Sequence, residues 1–338
     1  MKRVWVVGIV LAACAPPVEG AACLTSENCP RFQQCSSACR CSLEPTGTCS
    51  GYAQASSLAL DAPVSSAVVQ VSSRAEVVGV SSTDARREHL VRVFVPDGGT
   101  WTRVGTLQTD DDGVPPFAVS PRGDGLVVRS QLGSLSHYRS PGLETFTLLW
   151  TSDVKASAVA GTTVLASFSS SLGTRRKTVG ESATAMGALV DARSADELQL
   201  SNDGQVVAAR FGSDVQLFAG DAGGAAYGGV TALDLSADGR SVALVRDTGI
   251  EVAVGPQRSS VPLRGVGQVA LDGNGRRLLA LGSGVPTLFA LDGGSWVKAG
   301  ELPLDAGVAA SAAFTDDGAV LFVGVPSEQR VLVFRPLR

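Results

Sequence analysis

The sequence predicts an all-β fold, and three observations carry that expectation. From about Leu58 to Arg338, short apolar runs alternate with turns rich in Gly, Asp, Ser and Pro. No part of that region carries a long apolar stripe at the 3.6-residue spacing of a helix. Two turn-centred patterns also recur along it, at intervals that fit a repeated supersecondary unit.

The first pattern is Asp97-Gly98-Gly99-Thr100-Trp101-Thr102-Arg103-Val104-Gly105-Thr106-Leu107. It returns as Asp292-Gly293-Gly294-Ser295-Trp296-Val297-Lys298-Ala299-Gly300-Glu301-Leu302, with six of eleven positions identical. Each copy follows an apolar stretch, 91–95 and 287–291, so strand, tight turn and Trp-bearing strand make a hairpin. The second pattern is a Ser-x-Asp-Gly-like turn ahead of an apolar run. It occurs as Ser120-Pro121-Arg122-Gly123-Asp124-Gly125, Ser201-Asn202-Asp203-Gly204, Ser236-Ala237-Asp238-Gly239, Asp272-Gly273-Asn274-Gly275 and Thr315-Asp316-Asp317-Gly318. Degenerate copies fall near Ser72 and Ala160. Intervals of roughly 35 to 48 residues match four-stranded blades, and residues 58–338 divide into seven of them, a seven-bladed β-propeller. A pair of sandwich domains is the competing all-β architecture.

Inner strands of such a ring lie between neighbouring blades and should read as continuous apolar runs, as 278–281 and 320–323 do. Outer strands meet water and turn polar, as Trp101-Thr102-Arg103-Val104 does. The chain ends on Val331-Leu332-Val333-Phe334, a third-strand pattern. The missing outer strand of the last blade is therefore expected from 57–60, zipping the end of the domain to its beginning.

The Ser-x-Asp-Gly turn with its apolar strand resembles the blades of lactonase-like and TolB-like propellers. The Asp-Gly-Gly-Thr-Trp hairpin resembles FG-GAP-like blades. Both resemblances imply the propeller fold and leave the activity open.

Ahead of this domain, Lys2 and Arg3 precede an apolar run from Val4 to Ala13 that ends in Leu11-Ala12-Ala13-Cys14. A run of about ten residues is half of what a bilayer-spanning helix needs, so it reads as a processed signal. A Leu, two small residues and a Cys resemble the lipobox of bacterial lipoproteins. That resemblance implies cleavage before Cys14 and acylation of the Cys14 thiol and new amino terminus. Two or more acyl chains anchor a protein stably, at about 0.8 kcal/mol per buried methylene. Ala15 stands where an inner-membrane retention signal would place Asp, which directs the expectation to the outer membrane.

All seven cysteines precede residue 50. With Cys14 set aside, Cys23, Cys29, Cys35, Cys39, Cys41 and Cys49 form an even set in an exported chain and read as a three-disulfide framework. A zinc site is the rival reading, disfavoured by the lack of a Cys-x-x-Cys pair and by the oxidising compartment. The Cys39-Arg40-Cys41 spacing resembles an EGF-like module, which implies the pairs Cys23–Cys35, Cys29–Cys39 and Cys41–Cys49. The predicted organisation is a signal peptide (1–13), a lipidated tether (14–22), the cysteine-rich module (23–49), a Gly/Ala/Ser-rich linker (50–57) and the propeller (58–338).

Net charge is −4, about −6 once Lys2 and Arg3 are removed, and no basic block suggests nucleic acid as a partner. Asp110-Asp111-Asp112-Gly113 and Asp316-Asp317-Gly318 offer hard oxygen ligands, but not the alternating spacing of a calcium loop, so no metal is expected. His89 and His137 fall in different blades, and neither a Gly-x-Ser-x-Gly elbow nor a phosphate-binding loop occurs. The loose dinucleotide match Gly265-Val266-Gly267-Gln268-Val269-Ala270 leads into a strand, so no cofactor is expected. Trp101 and Trp296 read as outer-strand packing residues that would form a binding surface if exposed together on one rim. Arg175-Arg176-Lys177 reads as a solvated loop. The expected function is a lipid-anchored envelope protein that binds or scaffolds another envelope or extracellular protein. A propeller hydrolase or lactonase-like enzyme and a surface adhesin are the alternatives.

Overall fold

A computed structural model of the chain describes residues 34–35, 41–42 and 51–337, except 61–63, 85–87, 110–116, 131–132, 141, 144–145, 152, 170, 221, 262, 283 and 305–308. Cys14 and most of the cysteine-rich stretch lie outside the described residues. Within that stretch, Gln34–Cys35 and Cys41–Ser42 form a short antiparallel pair with Cys35 and Cys41 in register.

Seven four-stranded antiparallel sheets follow, making a seven-bladed β-propeller. Blade one spans 64–109, two 117–150, three 154–191, four 197–227, five 232–261 and six 266–301; blade seven takes three strands from 311–336. Its fourth strand is Tyr52–Ala59, which pairs antiparallel with Arg330–Pro336 from Tyr52 opposite Pro336 to Ala59 opposite Arg330. The predicted closure is thus present and starts five residues earlier than 57. Most of the 50–57 stretch is strand. It reads like a linker because an outer strand buries little, here Tyr52 and Leu58 among exposed Gln54, Ala55 and Ser57.

Within each blade the strands run from the axis outwards in sequence order, with blade seven completed by the N-terminal strand. The run at 278–281 belongs to Arg277–Gly282, and all but Val320 of the run at 320–323 to Leu321–Val325; these are second strands and not innermost ones. The innermost strands of those blades are Val266–Leu271 and Ser311–Phe314. A second strand has neighbours on both edges and blades on both faces, so it is the most apolar. The innermost strand borders the axis and carries small and polar residues there.

The repeated turn joins first strand to second, and its chemistry explains its recurrence. Ser201 Oγ accepts the Val206 N–H at 2.9 Å and donates to Asp203 Oδ1 at 2.6 Å, while Asp203 accepts the Gln205 N–H at 2.9 Å. Ser236 with Asp238 and Thr315 with Asp317 repeat the arrangement. Gly204, Gly239 and Gly318 close these turns at φ +73°, +71° and +64°, where a side chain is strained. Asp203, Asp238 and Asp317 are therefore consumed in shaping turns.

A separate apolar cluster fills each of the seven seams between successive blades. The seam of blades seven and one, for example, packs Val331, Val333 and Phe322 against Val69, Val78 and Val80. Arg175-Arg176-Lys177 lies in the strand Thr174–Thr178 and is not a solvated loop. Lys177 is buried, donating to the carbonyls of Leu149 at 2.6 Å and Ala185 at 2.9 Å, with its ammonium 4.8 Å from the centre of the Trp150 ring.

Candidate functional site: the central channel

The innermost strands surround a polar channel of about 780 Å³, a volume in the range of small-molecule sites. All seven blades contribute to its wall, among them Gln70, Ser157, Gln199, Asp234, Gln268 and Ala313.

One end is closed by the repeated turns. Backbone bonds link them from blade to blade: Ser73 N–H to Pro121 O at 2.8 Å, Asp316 N–H to Ser73 O at 3.0 Å, and Asn202 N–H to Ala237 O at 2.8 Å. The amide of Asn202, in blade four, then spans the axis. It donates to Ser73 Oγ in blade one at 2.8 Å and to the Asp316 carboxylate in blade seven. The channel is consequently a cup, open at the end where the innermost strands begin.

Charge is concentrated near that open end on blades three to five. Lys155 is paired with Asp196, whose carboxyl this hydrogen bond holds below the usual range. Arg210 Nε donates to Glu197 Oε2 at 3.1 Å; burial nevertheless pushes the Glu197 carboxyl up, and Arg210 only partly offsets it. Two residues deeper lies Asp234, half-buried. Burial, assisted by the nearby Glu197 charge, pushes its carboxyl up to about 7 against the N–H of Leu271, which donates at 2.6 Å.

Three blades place a hydrogen-bonding side chain two residues before the turn. Gln70 bridges to blade two, donating to Phe117 O at 3.2 Å and accepting from Val119 N–H at 3.0 Å. Gln199 bridges to blade five in the same way, through Leu233 O at 3.0 Å and Leu235 N–H at 2.6 Å. Asp234 holds the matching place in blade five and accepts the matching N–H from blade six. Sequence reasoning passed over Asp234, Glu197 and Arg210. The signal was the pattern Gln70-x-Ser72, Gln199-x-Ser201 and Asp234-x-Ser236, visible once the turns are aligned.

Trp101 and Trp296 lie on the fourth strands of blades one and six, with blade seven between them. Each is half-buried against the preceding blade. Trp101 meets Phe322 edge-on at 5.3 Å, and Trp296 Nε1 donates to Ser259 Oγ at 3.0 Å. The structure does not bring the two side chains together. Neither are the histidines joined: His89 Nδ1 lies 2.8 Å from Thr83 Oγ1 in blade one, and His137 is on the third strand of blade two, where burial pushes its imidazole pKa down. Among the described residues no group of three or more His, Cys, Asp or Glu is placed to hold a metal. Gly265–Ala270, the loose dinucleotide match, runs into the innermost strand Val266–Leu271.

No protein-family model matches this chain, and no curated protein matches it in sequence. Solved structures do match, 1217 chains of them, so the likeness marks a widely reused architecture and not a close relative. One is a chain in the crystal structure of a mitotic checkpoint complex, with a TM-score of 0.64 and 14% identity over 84% of this chain and 96% of that one. At that identity the likeness is one of fold alone.

Proposed function

We propose that this chain is a non-catalytic binding protein of the bacterial cell envelope, tethered by lipid on Cys14, whose propeller docks an envelope or extracellular protein at the open mouth of its channel. The observation that supports this reading is the commitment of the channel's functional groups. Lys155 holds Asp196, and Arg210 holds Glu197. Groups fixed in this way suit recognition by shape and charge better than proton shuttling, which needs a group free to take and give a proton at the reacting atom. The cysteine-rich module would then act as a spacer between membrane and ring.

Crosslinking in intact cells, followed by mass spectrometry of what is enriched with the protein, tests the reading. One envelope protein in near-stoichiometric yield is expected. Cys14→Ser should release the protein in soluble form and abolish acyl labelling. Full bait recovery with no enriched partner would overturn the docking role. Retention of Cys14→Ser on the membrane, with wild type unlabelled by acyl precursor, would overturn the anchor.

A further inference from the structure

Blade four ends on a strand unlike the outer strands of most other blades. Ala222–Tyr227 reads Ala-Gly-Gly-Ala-Ala-Tyr; its first five residues are exposed, and no described strand pairs with its outer edge. Such an edge presents a row of backbone N–H and C=O groups that another extended chain satisfies in register. The outer strands of blades one, three, five and six carry Arg103, Asp191, Arg258 and Lys298, charges of the kind that keep other strands away. Blades two and seven also lack a charge there, so the bare edge alone does not single out blade four.

A cleft beside this strand does. It measures about 510 Å³ and lies between blades four and five, walled by Val206, Leu217, Gly224, Ala225, Ala253 and Val254 among others. Arg240, the one charged residue of its wall, stands 4.0 Å from Asp238, so the cleft calls for no counter-charge. The fold itself shows what fills such a place. Between blades one and two, Leu143 of the third-to-fourth turn of blade two packs against Gly105 of the outer strand of blade one, and joins the apolar cluster of that seam. Six residues, 140–145, join the third and fourth strands of blade two. The counterpart in blade five is only Gly255-Pro256, and Val254 beside it is left 37% exposed.

We propose that the outer edge of blade four binds an extended, uncharged peptide segment of a partner protein. The segment adds to Ala222–Tyr227 as a fifth strand and places leucine-sized side chains in the cleft, where no turn of blade five reaches. Alternate residues of a strand share one face about 7 Å apart, so apolar residues two positions apart both serve the cleft. Backbone bonds along the edge supply affinity, and the cleft supplies the preference for apolar side chains. The small residues of the edge let the added strand approach closely. This site shares no residue with the channel wall, and it stands whether or not the channel mouth docks a partner.

Titration calorimetry of the full chain with acetyl-Thr-Leu-Thr-Leu-Thr-amide, read beside amide hydrogen exchange of Ala222–Tyr227, tests this. Binding by wild type, slowed exchange in that strand, and no binding of the peptide with serine in place of leucine support the proposal. So does at least a tenfold loss of affinity in Ala225→Arg and in Val254→Asp. Both positions are exposed, so the two variants keep the fold. Strand pairing further requires that N-methylation of one alternate set of peptide residues abolishes binding while methylation of the other set is tolerated. Equal affinity of Ala225→Arg and wild type, tolerance of both methylated sets, or no binding by the folded wild-type protein overturns it. Exchange that is already slow in the monomer without peptide also overturns it, because the chain then covers its own edge. A dimer that Ala225→Arg dissolves, found in place of peptide binding, gives the edge to a second copy and overturns it as well.

Discussion

Arg277 donates to the hydroxyl of Tyr52 at 2.8 Å, and the two side chains converge on the carbonyl of Gly318. Tyr52 is the first residue of the closing strand, Arg277 belongs to blade six and Gly318 to the first turn of blade seven. The ring of Tyr52 also meets Phe314 edge-on at 6.3 Å. Removing the hydroxyl in Tyr52→Phe deletes bonds to a carbonyl and to a guanidinium, and stability should fall by about 1–2 kcal/mol. Urea denaturation would record it as a lower midpoint at unchanged slope; an unchanged midpoint would show that the latch contributes nothing.

Asp234 makes stability depend on pH in the direction opposite to most carboxylates. Its folded value, about 7, lies above its unfolded value, so the folded state holds a proton that the unfolded state has lost. The associated stability is complete below about pH 4 and is lost as pH rises through 7, up to about 4 kcal/mol in all. Asp203 and Asp317, held low by their turn hydrogen bonds, act the other way and lose their contribution only in acid. Asp234→Asn should therefore be more stable than wild type at pH 8 and flatten the profile between pH 5 and 8. Parallel profiles for the two proteins would contradict the assignment.

Ser236 is buried, and its hydroxyl serves both the Ser241 N–H and Asp238. Ser236→Ala leaves a buried N–H without its acceptor, a loss of about 1–3 kcal/mol. Gly239→Ala acts on the same turn by another route. The residue sits at φ +71°, and an added Cβ would come within 2.8 Å of Val206 Cγ2. Both variants should lower the thermal midpoint, while an exposed substitution such as Arg240→Ala should not.

The two tryptophans separate packing from binding. Trp101→Ala removes an edge-on contact with Phe322 in a half-buried setting and should destabilise by about 2 kcal/mol. Trp296→Phe keeps most of the ring and loses the bond to Ser259, at about 1 kcal/mol. Partner capture should survive both, measured on protein that remains folded. Loss of capture by either variant would return the outer strands to consideration as the docking surface.

The ring was legible because its repeated parts are local. A Ser-x-Asp-Gly turn states its own hydrogen bonds within six residues, and an Asp-Gly-Gly hairpin states its own register, so blade count and outer-strand position followed from spacing. The distinction between first and second strands was lost because hydropathy reports burial and not radial order. Val320 to Val323 are apolar because they have neighbours on every side, a condition the second strand meets better than the first. The channel was illegible for a further reason. Gln199, Asp234 and Asn202 have meaning only through partners 34 to 129 residues away. Nothing in the local sequence separates them from surface polar residues.

The closing bond also sets a timetable. Tyr52 and Gly318 lie 266 residues apart, and the strand that Tyr52 begins pairs with the last one the chain supplies. At roughly 5–20 residues per second, a nascent chain carries that strand without its mate for tens of seconds. Through that interval its exposed backbone edge is a template for any other strand. Alternate Gln, Ser and Ala side chains along Tyr52–Ala59 give such an encounter little apolar surface to hold. The plainness of this strand thus guards the unfinished ring against pairing with the wrong neighbour.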